Sequence, residues 1–346
     1  MSEVGNTARS GWGTVLVAIA AFVTAFSVLT STVAAEPIKL RVSWVAVPNN
    51  LPPILFRKDG LAKHFGKTYT MEAVQYRGTP QAITALATGD LEMALLSYSS
   101  FPLAIQNAKM EDLRIIADEF QDGANGHYSG EFMVLKDGPV KKIEDLKGKT
   151  IAVNVKGGAT HGAAREVLLK HGLKDGDYNV IEASFSNMRA VLAEKKVDLI
   201  AVGIPQFSWD ADLQAIARPL FTQKDAFGES DVVIWVARAD FLAKNRAAVV
   251  DFFEDMLRAR RFFIDPANRA EAIKIVSEFT KAPPAKLQDW VFTKKDYYRD
   301  PNARPNVKAL QSNLDQMHKS GSIKEPLDVK KYLDLSLLEE AIARLK

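Results

Sequence analysis

The chain has 346 residues, 47% of them apolar and 25% charged, a soluble globular composition on a length too great for one ordinary core, so two lobes are expected. A net charge of +3 argues against a nucleic-acid binder; the longest basic cluster, Arg258, Arg260 and Arg261, shares a helical segment with Asp251, Glu254 and Asp255 and reads as a solvated helix face. The absence of cysteine excludes disulfides, zinc ribbons, iron–sulfur clusters, thiol nucleophiles and an anchor on a lipidated cysteine.

Residues 10–35 carry no charge, and Arg9 stands just before them. The apolar run TVLVAIAAFVTAFSVLT ends in STVAAEP, with small Val33 and Ala35 at a cleavage position. This is the layout of a secretory signal peptide cleaved after Ala35. The alternative is an uncleaved anchor, because about 20 apolar residues span a bilayer. The mature chain is expected to be exported to the periplasm and soluble.

The mature chain opens with strands alternating with helices. KLRVSWVAV (39–47) and YTMEAVQY (69–76) read as strands. Thr79 and Pro80 then suit the cap and first turn of a helix that Gly89 closes. LEMALLS (91–97) is a strand, Ser99 or Ser100 caps the helix FPLAIQNA, and LRIIADE (113–119) is a further strand. Such alternation implies βαβ units and a mainly parallel sheet. QDGANGHYSG (121–130) is a loop, and EFMVLK (131–136) begins a second α/β series. There Thr160 is the expected cap of the helix running to Gly172, Ser186 caps another, and VDLIAVG (197–203) is a strand. DVVIWVAR follows from Asp231, and the rest is expected to be largely helical over 240–264, 267–280, 284–292, 304–320 and 335–345.

GGATHG (157–162) lacks the lysine and spacing of a phosphate loop but leaves helix-start N–H groups at Ala159, Thr160 and His161, which attract an anion or simply begin a helix. SYSSFP (97–102) puts Tyr98, Ser99 and Ser100 beyond a strand end, where open α/β sheets bind ligands. Helix capping accounts for one of those hydroxyls. VSWVAVPNNLPP (42–53) sets Trp44 near Asn49 and Asn50, an aromatic wall beside amides; Trp44 reads equally well as core. Arg77 is a charge partner for an anion or a solvated loop residue. His161 and His171, ten residues apart, do not form a metal pair, and His64 and His127 have no carboxylate at ligand spacing, so no metal site is expected. No Gly-x-Ser-x-Gly elbow is present.

Taken in order, LRVSW, YRGTPQAITALATGDLEMALLSYSSFPLAI, KKIEDLKGKTIAVNVKGGATHGAAREVLLKHGL and DVKKYLDLSLLEEA resemble the substrate-binding proteins of nitrate/sulfonate/taurine ABC importers. The order and spacing carry the likeness, more than any one motif. Many relatives place a Trp-Asp-Pro turn after the strand matching VDLIAVG; here Pro205 is kept while Trp209 and Asp210 are displaced, so the ligand is expected to differ. The resemblance implies the two-lobe α/β fold of type II periplasmic binding proteins, each lobe a mainly parallel sheet flanked by helices. Lobe 1 would be 36–130 with 223–346 and lobe 2 131–222, joined by a hinge of two crossovers near 120–132 and 222–232. It further implies a monomer without cofactor, metal or catalytic residues that binds a small organic anion, a sulfonate or carboxylate, and docks on a membrane permease with its ATPase subunit. The implied ligand contacts are Trp44, Asn49, Asn50, Arg77, Thr79, Tyr98, Ser99, Ser100, Ala159, Thr160, His161 and Pro205. Two rival readings are a binder of a neutral heteroaromatic, such as a thiamin-precursor pyrimidine, and a periplasmic enzyme.

Overall fold

The computed structural model describes residues 36–345; the expected leader and its cleavage after Ala35 lie outside them. Among the described residues ten strands form two sheets. The first contains β1 (Ile38–Trp44), β2 (Tyr69–Gln75), β3 (Met93–Ser97), β4 (Leu113–Asp122) and, from far along the chain, β10 (Ser230–Arg238). The second contains β5 (Glu131–Leu135), β6 (Thr150–Val153), β7 (Asn179–Glu182), β8 (Leu199–Val202) and β9 (Ala217–Thr222).

Strand order is β2-β1-β3-β10-β4 in one sheet and β7-β6-β8-β5-β9 in the other, the same pattern twice. In each sheet a single strand, β10 or β5, runs against its neighbours, so four strands point one way. Each sheet is thus mixed, and of its co-directional strands β1–β4 and β6–β8 are those the βα alternation predicts. The antiparallel strand is in both cases the one by which the chain enters from the other sheet. Parallel strands need helical crossovers, and these cover the sheet faces. The chain crosses between sheets through residues 123–130 and again through the short helix Gln223–Phe227.

The first lobe gathers most of the core. Leu40, Val42, Leu96, Ile115, Ile234 and Trp235 are fully or almost fully buried on its sheet. Helix Arg246–Ile264 covers one face, with Val249, Phe252, Phe253, Met256, Leu257, Arg260 and Phe263 buried at helical spacing. Phe252 meets Tyr69 and Trp235 with ring centroids 5.5 and 5.7 Å apart.

This helix overturns one expectation. Arg260 is wholly buried rather than solvated: its guanidinium donates to Asp118 Oδ2 at 2.7 Å, to the carbonyls of Asp118 and Glu119, and to Asp300 O at 2.6 Å. Arg258 lies against Glu254 and Asp255. Residues 284–292, expected as a helix, hold only one 3-10 turn at Pro284–Lys286. The sequence reading also passed over β9, whose Pro219 lies on an edge strand, where a missing N–H costs no ladder bond. Among the described residues no helix is long and apolar enough to cross a membrane.

Candidate ligand-binding site

The two lobes face each other across a cleft, and the carboxyl ends of β1, β3, β6 and β8 open into it. At its base lies a small cavity of about 60 Å³. Asn49, Thr79 and Tyr297 line it from the first lobe, Asn154, Thr160 and Gly203 from the second, and Gln223 from the crossing between them. An adjoining outer cavity of about 560 Å³ shares Asn154 and Phe185 with the inner one and adds Trp44, Arg77, Phe207 and Phe279.

Two helix starts reach the inner cavity. Helix Thr79–Thr88 begins at Gly78 and helix Ala159–Lys170 at Gly158, and both glycines line the wall with the residues after them. The first N–H groups of a helix have no intrahelical acceptor and sit at the positive end of its dipole. Both starts therefore favour negative charge.

The hydroxyls expected as helix caps are used differently, which corrects that reading. Neither Thr79, Thr160 nor Ser186 is an N-cap; Gly78, Gly158 and Asn187 are. Ser99 does stand at an N-cap position, but its side chain makes no capping bond. Thr79 Oγ1, Ser97 Oγ and Ser100 Oγ form one buried network with spacings of 2.9–3.0 Å, which Ser99 Oγ joins through Ser97. Thr160 Oγ1 donates to Asn154 Oδ1 at 2.7 Å, and Ser186 pairs with Ser184. Within the Thr79–Ser97–Ser100 network Ser97 Oγ also accepts from Ser100 N, the first N–H of helix Ser100–Gln106, at 3.2 Å.

The named residues divide by position. Asn49, Asn50, Thr79, Ala159 and Thr160 line the inner cavity, and Trp44 and Arg77 line the outer one. Asn50 Oδ1 accepts from the N–H groups of Val45 and Ala46 and so shapes the loop after β1. Trp44 packs edge-on against Phe279 at 5.7 Å, with its Nε1 unpartnered. Tyr98, Ser99, Ser100, His161 and Pro205 line neither cavity. Tyr98 Oη donates to Ala159 O at 2.8 Å and Ser99 Oγ to Gly157 O at 3.0 Å, so both join the lobes. His161 Nδ1 accepts from Gly157 N; burial, with Arg165 beside it, lowers its pKa and favours the neutral ring. Pro205 is buried at the first turn of helix Pro205–Ser208, behind Gly203 and Ile204.

Sequence reasoning missed Gln223, Tyr297, Asn154, Phe185 and Phe279. Asn154 had a signal, since it directly follows β6 and strand ends are where ligands bind. Tyr297 had none: it comes from an irregular segment, stacks on Phe120 at 4.6 Å and donates to Gly203 O at 3.0 Å. Electrostatically the site is simple. Among the described residues Arg77 is the one charged side chain on either cavity wall, and no acid lines them. Its guanidinium makes no ion pair there.

His64 does have carboxylates nearby, brought by helix Arg246–Ile264: Glu254 Oε2 at 3.3 Å and Asp251 Oδ2 at 3.7 Å. Those acids already pair with Arg258 and Arg344, so the group is an ion-pair network.

Two similar sheets, two crossings and a ligand-sized cleft between them define a two-lobe periplasmic binding protein fold. The chain belongs to the NMT1-like family, whose sequence model matches residues 33–277. Solved structures agree on the architecture. The alkanesulfonate-binding protein SsuA from Xanthomonas axonopodis pv. citri, bound to MOPS, is 21% identical with a TM-score of 0.67, over 87% of this chain and 99% of that one. The periplasmic nitrate-binding protein NrtA from Synechocystis PCC 6803 is 18% identical with a TM-score of 0.70, over 90% of each chain. The desulfurization enzyme DSZB is 15% identical with a TM-score of 0.60, over 89% of this chain and 100% of that one. At such identities the likeness is one of fold, and this fold serves both binding proteins and an enzyme.

Proposed function

We propose that the chain is the extracytoplasmic solute-binding component of an ABC importer and that it takes up a small organic anion, a sulfonate or carboxylate with an apolar or aromatic body. One observation carries the reading: a cleft whose walls hold one arginine and no acid, with two helix starts at its base. The anionic group sits in the inner cavity, near the N–H groups after Gly158 and the Gln223 amide. The body lies outside it among Trp44, Phe185, Phe207 and Phe279, with Arg77 at the mouth. Residues 36–130 with 223–346 form one moving body and 131–222 the other, hinged at the two crossings. The closed form docks on a membrane permease, and the protein works as an exported monomer.

The wall chemistry supports binding without turnover. The Ser97 and Thr79 hydroxyls hydrogen-bond each other, with no imidazole or carboxylate poised to take a proton. A neutral heteroaromatic is the second reading, favoured by one fact: the inner cavity itself has no charged side chain.

Calorimetry and thermal melts with benzenesulfonate and benzoate against benzyl alcohol test the anion reading. The anions are expected to bind, with about 2.7 kcal/mol of stabilisation at 100 times the dissociation constant. Arg77→Ala is expected to weaken them about fivefold, the effect of one exposed charge worth about 1 kcal/mol. Stabilisation by neutral heteroaromatics alone sinks the anion reading in favour of the second.

A further inference from the structure

Two buried side chains on the inner cavity wall carry terminal atoms without a partner. Asn49 is 4% exposed and its Oδ1 is unpaired; Gln223 is 2% exposed and its Nε2 is unpaired. Buried polar groups are normally hydrogen-bonded, and each orphan opposes the closed form unless something completes it. Both residues line one cavity of about 60 Å³.

The orientation of Asn49 is fixed by its neighbour. Its Nδ2 donates to Gly203 O at 3.2 Å, and a carbonyl oxygen only accepts. Turning the amide over would set two oxygens against each other, so Oδ1 is the free end. Gly203 belongs to the second lobe and Asn49 to the first. The acceptor is therefore locked in place when the lobes meet. No neighbouring protein N–H or O–H satisfies it: Tyr297 Oη, also on this wall, donates to the same Gly203 carbonyl, and Thr160 Oγ1 donates to Asn154.

We infer that the ligand carries an N–H or O–H donor directed at Asn49 Oδ1, beside the Gln223 amide. The class is an amino-, amido- or hydroxy-substituted organic anion. Acceptor-only anions, such as nitrate, sulfate or an unsubstituted sulfonate, leave Asn49 Oδ1 unpaired and place oxygen against it. This inference rests on the proposed anion site and narrows its substrate class.

The test is isothermal calorimetry with matched pairs: benzenesulfonate against its 3-amino and 3-hydroxy derivatives, and benzoate against the same two. The donor-bearing member of a pair is expected to bind roughly tenfold to a hundredfold tighter, the cost of an unpaired buried acceptor. Asn49→Ala is expected to abolish the preference. Tyr297→Phe is the control, because it removes the other bond to Gly203 O and leaves Oδ1 as it is; it is expected to lower affinity for both members and keep their ratio. Equal binding of both members by the unmodified protein overturns the inference and leaves the anion site standing. A preference that survives in Asn49→Ala overturns the role of Asn49. If no member of any pair binds, the anion reading fails, and this inference with it. The comparison within the unmodified protein decides even if Asn49→Ala does not fold.

Discussion

Asp122 is the last residue of β4, where the chain leaves the first lobe, and it is fully buried. Ser129 Oγ and Gly130 N donate to its two oxygens, each at 2.6 Å, and Gly130 O in turn accepts from Gln223 N at 2.7 Å. One carboxyl group thus fastens the first crossing, and the second crossing is bonded to it. Burial pushes its pKa up to about 7, against the pull of those two hydrogen bonds and of Lys224. An ordinary aspartate titrates near 4. Between about pH 4 and 7 the folded state therefore holds a proton that the unfolded state has lost, so this group's contribution to stability falls as pH rises through that window. Asp122→Asn is expected to remove this component: urea unfolding of the variant should lose less stability between pH 5 and pH 8 than the unmodified protein. An identical slope in both proteins would mean that Asp122 is ionised throughout. Residue roles of this kind were poorly legible in the sequence. Asn49, Asn50 and Thr160 could be placed beside the cavity because they follow strands or open a helix. Gln223 could not, because its place depends on two crossings meeting, which no local pattern encodes. The hydroxyls were found but misread as caps, since a sequence shows a serine before a helix and not the second hydroxyl across from it.

Strands and helices with strong periodicity were legible. The run LRVSW became β1 and DVVIWVAR became β10, and the βα alternation became the co-directional strands of two mixed sheets. β9 was not legible, because ARPLFT carries a proline and a charge and is held as a strand by β5. Helix Arg246–Ile264 shows how an element can be right while its face is wrong. Arg258, Arg260 and Arg261 span nearly a full helical turn, so they cannot all face one way. The turn that buries Met256, Leu257 and Phe263 carries Arg260 inward, where Asp118 has drawn up to receive it. Burial raises the pKa of Asp118 to about 6, while Arg260 pulls it down. Removing the guanidinium strands a buried acid and three carbonyl acceptors. Arg260→Met is expected to cost roughly 3–5 kcal/mol in urea unfolding. Lys274→Met, which breaks the exposed pair with Glu278 at 3.9 Å, is expected to cost no more than about 0.5 kcal/mol. Similar costs for the two would mean that the buried network is worth no more than a surface pair.

At the scale of the whole molecule, a few direct hydrogen bonds bridge the two lobes. Asn49 and Tyr297 of the first lobe donate to Gly203 O, Tyr98 and Ser99 to carbonyls beside helix Ala159–Lys170, and Asn154 of the second lobe returns a bond to Arg77 O at 3.3 Å. Between these bridges the backbone at Gly78 comes close to side chains of the opposite lobe. Its φ of −169° is extended and open to any residue, so the need for glycine there is one of space. A Cβ on Gly78 would overlap Val155 Cγ1 in the opposite lobe and lie 3.0 Å from Val155 Cβ and 3.3 Å from Asn154 Nδ2. Within its own lobe, Gly78 caps helix Thr79–Thr88, where alanine is a poorer cap and costs only about 1 kcal/mol of local stability. Gly78→Ala is therefore expected to leave each lobe folded while opposing their contact. If binding requires closure, overpacking worth about 1–3 kcal/mol would weaken ligand binding roughly fivefold to a hundredfold. Small-angle scattering of the liganded variant should show a larger radius of gyration than the liganded unmodified protein. Val155→Ala in the same chain removes the methyl group in the way and should recover most of the affinity. Should Gly78→Ala bind as tightly as the unmodified protein, the lobes do not need this contact to hold a ligand, and the clamp mechanism would have to give way to binding in an open cleft.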